Sequence, residues 1–442
     1  MNIIMNFNPI RVLVNAKPLT LILAITLLKL IFLFAVLPLF EASLGSMYGI
    51  SFADNYHMLA QNLAAGNGYR FTDDTALTMM REPGYPLVLA ALFSVFGYGL
   101  SAPRVANLFF GIFSALLISR ITRQVSGSER AAKLAPVLFL VHPGVIITDM
   151  RGGVEGLFIM LVMCFLVVTY KALASGRLKD YFFVGLALGI ASIVRSTVLL
   201  FPSFLLLYFL WWERTRTSIP AMLSRVVIVW VGAFLILSPW IIRNYALSGH
   251  FVPTGSVAGV SAHAGQYICT HFSFDNSLEK VDGDAATERV RLAREQGYRF
   301  KELDGLYYLY FYKTQDELAF NTFLGKRVLQ RYLESPMLLL ECSTKNAFNF
   351  WFSGKTWKAT TLNSVVQLPY LLLAIAGLII GMRSKRSADI AILALFIVYT
   401  MGVYLPILAE ARYSMHLIPI LSILAALPFT KRRWKYSSSN EQ

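Results

Sequence analysis

The chain has 442 residues, 56% of them apolar and only 15% charged, with a mean hydropathy of +0.57. Soluble domains carry about 45–50% apolar and about 25% charged residues, so this composition excludes a disordered chain, a collagen and an ordinary cytosolic enzyme. The net charge of +15 must be read against membrane sidedness before it says anything about partners, and three cysteines with no CxxC or Cys/His cluster exclude a disulfide framework and give no zinc signature.

A helix needs roughly 20 apolar residues to cross the hydrocarbon core. The first such run is 19–40, broken only by Lys29 and preceded by Arg11 and Lys17. It is too long for the apolar part of a signal peptide, so it is read as an uncleaved span. Next comes an outer loop, 41–102, with an amphipathic helix at 52–65 followed by Gly66-Asn67-Gly68-Tyr69. The apolar stretch 83–98 opens with Pro83 and Pro86 and suits an interfacial helix better than a span. Further spans are expected at 103–121, 131–148, 155–172, 181–194, 197–212, 226–243, 363–382, 389–407 and 412–430, about ten in all. Segments 181–194 and 197–212 are short and flank Arg195, which predicts a helical hairpin bent at a membrane surface.

With 83–98 kept out of the count, the basic loops at 120–133, 171–179, 214–225, 383–386 and 431–435 all fall on the side of the N-terminus. The positive-inside rule then puts both termini inside, and the basic excess becomes an orientation signal rather than a nucleic-acid signature. The expected architecture is an all-α polytopic membrane protein in three parts. Residues 1–244 form a membrane module with the first outer loop, 245–362 an outer region, and 363–442 the last spans with a basic tail. Within the outer region 279–302 is charged and helix-friendly, 306–312 is aromatic, and 336–352 reads as a helix resting at the interface. Cys269 and Cys342 both fall outside, where a disulfide between them and a pair of buried thiols are equally compatible with the sequence.

Ionisable groups at membrane boundaries are expensive to place and so point to function. Asp54, Arg81, Arg104, Asp149, Arg151, Glu155, Arg195, Arg243, Glu410 and Arg412 all lie at span ends on the expected outer side. Each has a plain alternative. Asp54 and Glu155 can cap the helices they open. Arg195, and Arg243 beside Trp240, can reach to headgroups. Glu410 and Arg412 can pair with each other, and His57 can be an ordinary surface histidine.

Several motifs resemble the GT-C superfamily of membrane glycosyltransferases, in the branch of the protein O-mannosyltransferases and lipid A aminoarabinose transferases. They are Asp54 with Tyr56, Arg81-Glu82-Pro83-Gly84-Tyr85-Pro86, Glu155-Gly156-Leu157-Phe158 and Ile193-Val194-Arg195-Ser196. Two more follow in the same order, Ser238-Pro239-Trp240-Ile241-Ile242-Arg243-Asn244-Tyr245 and Glu410-Ala411-Arg412-Tyr413. The resemblance implies a GT-C fold and inverting transfer of one sugar from a polyprenyl-phosphate donor to a glycan or lipid-linked acceptor on the non-cytoplasmic face, with protein hydroxyls as the alternative acceptor. A bacterial inner membrane is the expected location. Asp54 matches the family's first-loop acid and is the expected general base. Arg195, Arg243 and Arg412 are expected to grip the lipid phosphate. Glu155 is expected to orient substrate, and Arg81, Tyr56, His57 and Glu410 to line the cleft. The chain departs from the oligosaccharyltransferase branch at Tyr56, where a second acid would complete Asp-x-Asp, so no metal or other cofactor is expected. Ser196 replaces the family's usual proline. A secondary transporter or lipid flippase is the competing class, but the sequence lacks the paired broken spans of an inverted repeat.

Overall fold

The computed structural model describes residues 17–38, 55–215, 217–272, 278–302 and 309–430. Among them, eight helices are long and apolar enough to cross a membrane, nine if a bent pair at 129–151 is one span. The first span joins α1 (Pro18–Ile31) to a π-helical stretch, Phe32–Val36. After the first span, α2 (Tyr56–Ala64) starts from Asn55, whose left-handed backbone (φ 59°) opens the helix. Helix α3 (Gly84–Phe96) has 13 residues, about 20 Å of helix, short of the roughly 30 Å of a hydrocarbon core.

The long α4 (Ser101–Ser126) is followed by α5 (Glu129–Val141) and α6 (Pro143–Arg151), bent by 53° at His142. The bend follows from Pro143: the residue before a proline is driven out of helical geometry, and His142 has ψ 122°. Its ring then accepts from the Gly144 N–H and meets Gln367 at 3.0 Å, so the break is capped and braced. Across this region Lys29 of α1 forms a buried ion pair with Asp149 of α6 at 2.7 Å.

Helices α7 (Val154–Ser175) and α8 (Leu178–Val194) lead to the expected bend at Arg195. A short 3-10 turn, Ser196–Val198, and α9 (Phe201–Tyr208) with its π-helical end return through the bilayer to α10 (Ile219–Ser248). At 17 residues, α8 is the segment by which the ten expected spans exceed the nine found by length and composition. Gly185 and Gly189 of α8 lie directly against Val229, Gly232 and Ala233 of α10, where a Cβ would strike backbone. Both pairings advance in the same direction, so the two helices run parallel.

The region expected to lie outside, 245–362, holds α11 (Ala258–His271), α12 (Leu278–Glu295) and a two-stranded antiparallel ribbon, β1 (Phe300–Lys301) with β2 (Tyr310–Phe311). Helices α13 (Thr314–Glu334) and α14 (Pro336–Phe352) complete it. A disulfide between Cys269 and Cys342 ties α11 to α14 across 73 residues of chain. The membrane part closes with α15 (Trp357–Met382), α16 (Ser387–Tyr404), a 3-10 turn at Ala411–Leu417 and α17 (Ile418–Ala426). Its core is aromatic: Phe201 packs edge-on against Phe165, Phe396 and Tyr399.

Candidate active site

Residues 77–86 form a strap across the C-terminal ends of α8 and α10. Tyr69 holds it from below, donating to the carbonyls of Arg81 and Glu82 at 3.1 Å each, while the Thr78 N–H donates to the Tyr69 carbonyl. Burial pushes the Tyr69 hydroxyl pKa well up, so it stays a donor. Glu82 accepts from the Ser196 N–H at 3.2 Å, fastening the strap to the Arg195 bend. Gly84 sits against the Ile193 carbonyl, too close for any Cβ.

Two clusters of cations follow from this arrangement. In the first, Arg81 lies buried with its guanidinium carbon 5.5 Å from the Tyr56 ring, and Tyr56 meets Tyr85 edge-on at 5.5 Å. The Tyr85 hydroxyl donates to the Gly152 carbonyl, just before Glu155 in the first turn of α7. Glu155 pairs with Arg195 at 3.7 Å. Arg195 also stands 5.0 Å from the Tyr413 ring, which Arg412 approaches at 4.9 Å and on which Tyr404 stacks at 4.9 Å. Arg412 and Glu410 do pair with each other, at 3.0 Å. The structure therefore brings Tyr56, Arg81, Glu155, Arg195, Glu410 and Arg412 into one connected group.

Arg243 forms the second cluster. Its guanidinium stacks on Trp240 at 4.3 Å and faces Tyr69 at 5.3 Å, while one nitrogen donates to the Thr78 carbonyl (3.0 Å) and to Asn244 Oδ1 (2.9 Å). It is thus turned into the protein, unlike a headgroup anchor. The other terminal nitrogen, Nη2, is buried without a hydrogen-bond partner among the described residues, as is Nη1 of Arg195. Beside Arg243 opens a groove of about 440 Å³, walled by apolar residues including Leu63, Leu77, Leu87, Ile193 and Pro239.

The remaining expectations divide. His57 is half-buried, 6.5 Å from Tyr98, and burial lowers its pKa. Asp54 lies outside the described residues; its neighbour Asn55 is fixed by a 2.7 Å hydrogen bond to Tyr310 of β2. Among the described residues no three His, Cys, Asp or Glu side chains gather as a metal site. Sequence reasoning gave no role to Glu82, Tyr69 or Tyr413, although all three lie in or beside the quoted motifs. It also missed Glu317, which reads locally as an acid in the first turn of a helix.

Residues 80–242 match the family model of the dolichyl-phosphate-mannose-protein mannosyltransferases. No curated protein matches the sequence. Among solved structures, the chain is similar to the archaeal oligosaccharyltransferase AglB from Archaeoglobus fulgidus in complex with an inhibitory peptide and a dolichol-phosphate. Identity is 12% and the TM-score 0.54, over 93% of this chain and 50% of that one. The Archaeoglobus fulgidus oligosaccharyltransferase tethered to an acceptor peptide gives 12% identity and a TM-score of 0.52, over 93% and 49% of the two chains. ArnT from Cupriavidus metallidurans bound to undecaprenyl phosphate is 14% identical over 85% and 72%, with a TM-score of 0.35, too low to bear on the fold. The chain spans about half the length of the oligosaccharyltransferase it resembles. With these likenesses added to its apolar helices, this is an integral membrane protein built on the GT-C fold of the membrane glycosyltransferases.

Proposed function

We propose that the protein transfers a single sugar from a polyprenyl-phosphate donor to an acceptor hydroxyl, with inversion, on the outer face of a bacterial inner membrane. The observation that carries this reading is Arg243. A half-buried guanidinium with one buried, unsatisfied nitrogen stands at the polar end of an apolar groove, at the outer end of a long apolar helix. Unsatisfied buried donors are costly and rare in native proteins. A lipid phosphate satisfies the donor while its prenyl chain covers the groove. The family model is named for a dolichyl-phosphate-mannose enzyme, and AglB was solved with a dolichol-phosphate; both support a lipid-phosphate carrier.

In this reading Asp54 takes the acceptor proton as the acceptor oxygen bonds to the anomeric carbon. The bond from that carbon to the phosphate oxygen breaks on the opposite face, and the lipid phosphate leaves as an anion. Arg243 and Arg195 stabilise that anion, with Arg81 and Arg412 adding positive charge nearby, and no metal is required. Glu155 keeps Arg195 oriented and is available to a sugar hydroxyl. The outer region, 245–362, selects the acceptor, for which a glycan or lipid-linked hydroxyl is the first reading. A protein hydroxyl is the second, favoured by the name of the family model.

The test is to incubate purified protein with a panel of polyprenyl-phosphate sugars and an acceptor extract, and to measure released lipid phosphate. Release with one donor and transfer of its sugar supports the reading. No release with any donor, together with movement of lipid across reconstituted vesicles, overturns it in favour of transport.

A further inference from the structure

Glu317 belongs to the outer region, yet its contacts are with the strap. It stands in the first turn of α13 and is 6% exposed. One carboxylate oxygen accepts from the Thr78 hydroxyl at 2.5 Å. The other accepts from the Met79 N–H at 3.0 Å and from the Ser256 hydroxyl at 2.7 Å. Ser256 in turn donates its N–H to the Met79 carbonyl at 2.8 Å, and Thr314 Oγ1 donates to the Leu77 carbonyl at 2.6 Å. Three consecutive strap residues are therefore held by the start of α13 and the residue Ser256.

Thr78 is also the residue whose carbonyl receives Arg243. Its side chain is latched by Glu317 and its carbonyl orients the guanidinium, so the position of Arg243 depends on a carboxylate two bonds of the network away. Arg81 follows Thr78 by three residues on the same strap. A carboxylate accepting three hydrogen bonds at the buried start of a helix is more than a dipole-compensating acid, which needs only exposure near the N-terminus.

We propose that Glu317 is a positioning residue for donor binding: through Thr78 and Met79 it sets the strap that aims Arg243 at the lipid phosphate. The ligand in this statement rests on the reading above; the clamp itself does not. The outer region then acts on the donor as well as the acceptor, because one of its helices fixes the donor-side cation.

Two measurements test this separately. Arginine-directed modification by phenylglyoxal, read at Arg243 by peptide mass spectrometry, reports the clamp whatever the ligand. Affinity for a polyprenyl phosphate in detergent reports the donor site. Glu317→Ala is expected to speed modification of Arg243 and to weaken polyprenyl-phosphate binding by about tenfold, as for the loss of a charge-assisted hydrogen bond. Glu317→Gln keeps one acceptor oxygen for Met79 and Ser256 but turns an NH2 towards the Thr78 hydroxyl, which must then accept instead of donate, so it is expected to recover part of that loss. If Glu317→Ala does not fold, Thr78→Val, which unlatches the strap while keeping the Thr78 carbonyl, should shift both readouts in the same direction. A folded variant with unchanged Arg243 reactivity and unchanged affinity overturns the positioning role. A wild-type protein that binds no polyprenyl phosphate, while Arg243 responds to Glu317→Ala, overturns the donor reading and leaves the clamp standing.

Discussion

Arg243 makes two kinds of contact that a lysine cannot make together. It lays a flat cation on Trp240 and directs separate nitrogens at Thr78 and away from it. Arg243→Lys is therefore expected to raise the donor KM by about tenfold with little change in folded yield, measured by lipid-phosphate release against donor concentration. For Asp54→Asn the amide cannot accept a proton, so kcat should fall by about 10²–10⁴-fold with normal membrane insertion. Retained turnover removes Asp54 from the mechanism. At this scale the sequence was half legible. Arg243 and Arg195 stand in recognisable motifs, whereas Glu317 meets its partners 61 to 239 residues away in the chain, and no local pattern encodes such pairings.

Helices were more legible than contacts because a bilayer imposes its own thickness on them, so apolar runs of about 20 residues announce themselves. The bend at Arg195 followed from two short runs around a charge. The break at His142 was missed, since the apolar pattern runs through it and only Pro143 marks it. In the outer region, α11 carries a prediction of its own. His263 is buried, with Arg289, Arg327 and Arg331 among its neighbours; burial first and Arg289 next lower its pKa from 6.5 to about 4. Above pH 6.5 the imidazole is neutral in folded and unfolded chains alike. As pH falls from 6.5 towards 4 only the unfolded chain takes up the proton, so the outer region loses up to about 3 kcal/mol of stability. Comparing hydrogen-exchange protection of α11–α13 at pH 7 and pH 5 in the wild type and in His263→Gln isolates this term. The difference between the two proteins should vanish if His263 is not responsible.

On the scale of the whole molecule, the buried Lys29–Asp149 pair pins the first span to the bent α6, which precedes Glu155 by only a few residues. Lys29 was visible as the one interruption of an apolar run, and Asp149 as a boundary acid, but their pairing across 120 residues was not. Removing one partner leaves a charge buried alone, so Lys29→Met is expected to cost about 3–5 kcal/mol. The double variant Lys29→Met, Asp149→Leu should recover most of it, measured by thermal unfolding in detergent. A single variant as stable as the wild type contradicts this role.

The glycine seam between α8 and α10 bears on how the protein meets membranes of different thickness. Because the two parallel helices touch backbone to backbone at Gly185 and Gly232, neither can tilt without the other. Arg195 follows the end of one and Arg243 lies near the end of the other. A thinner or thicker bilayer changes the tilt of its spans, and here it carries both cations up or down as one rigid fork. The spacing of the two residues along the helix pair is set by the seam and stays constant while the lipid around it varies.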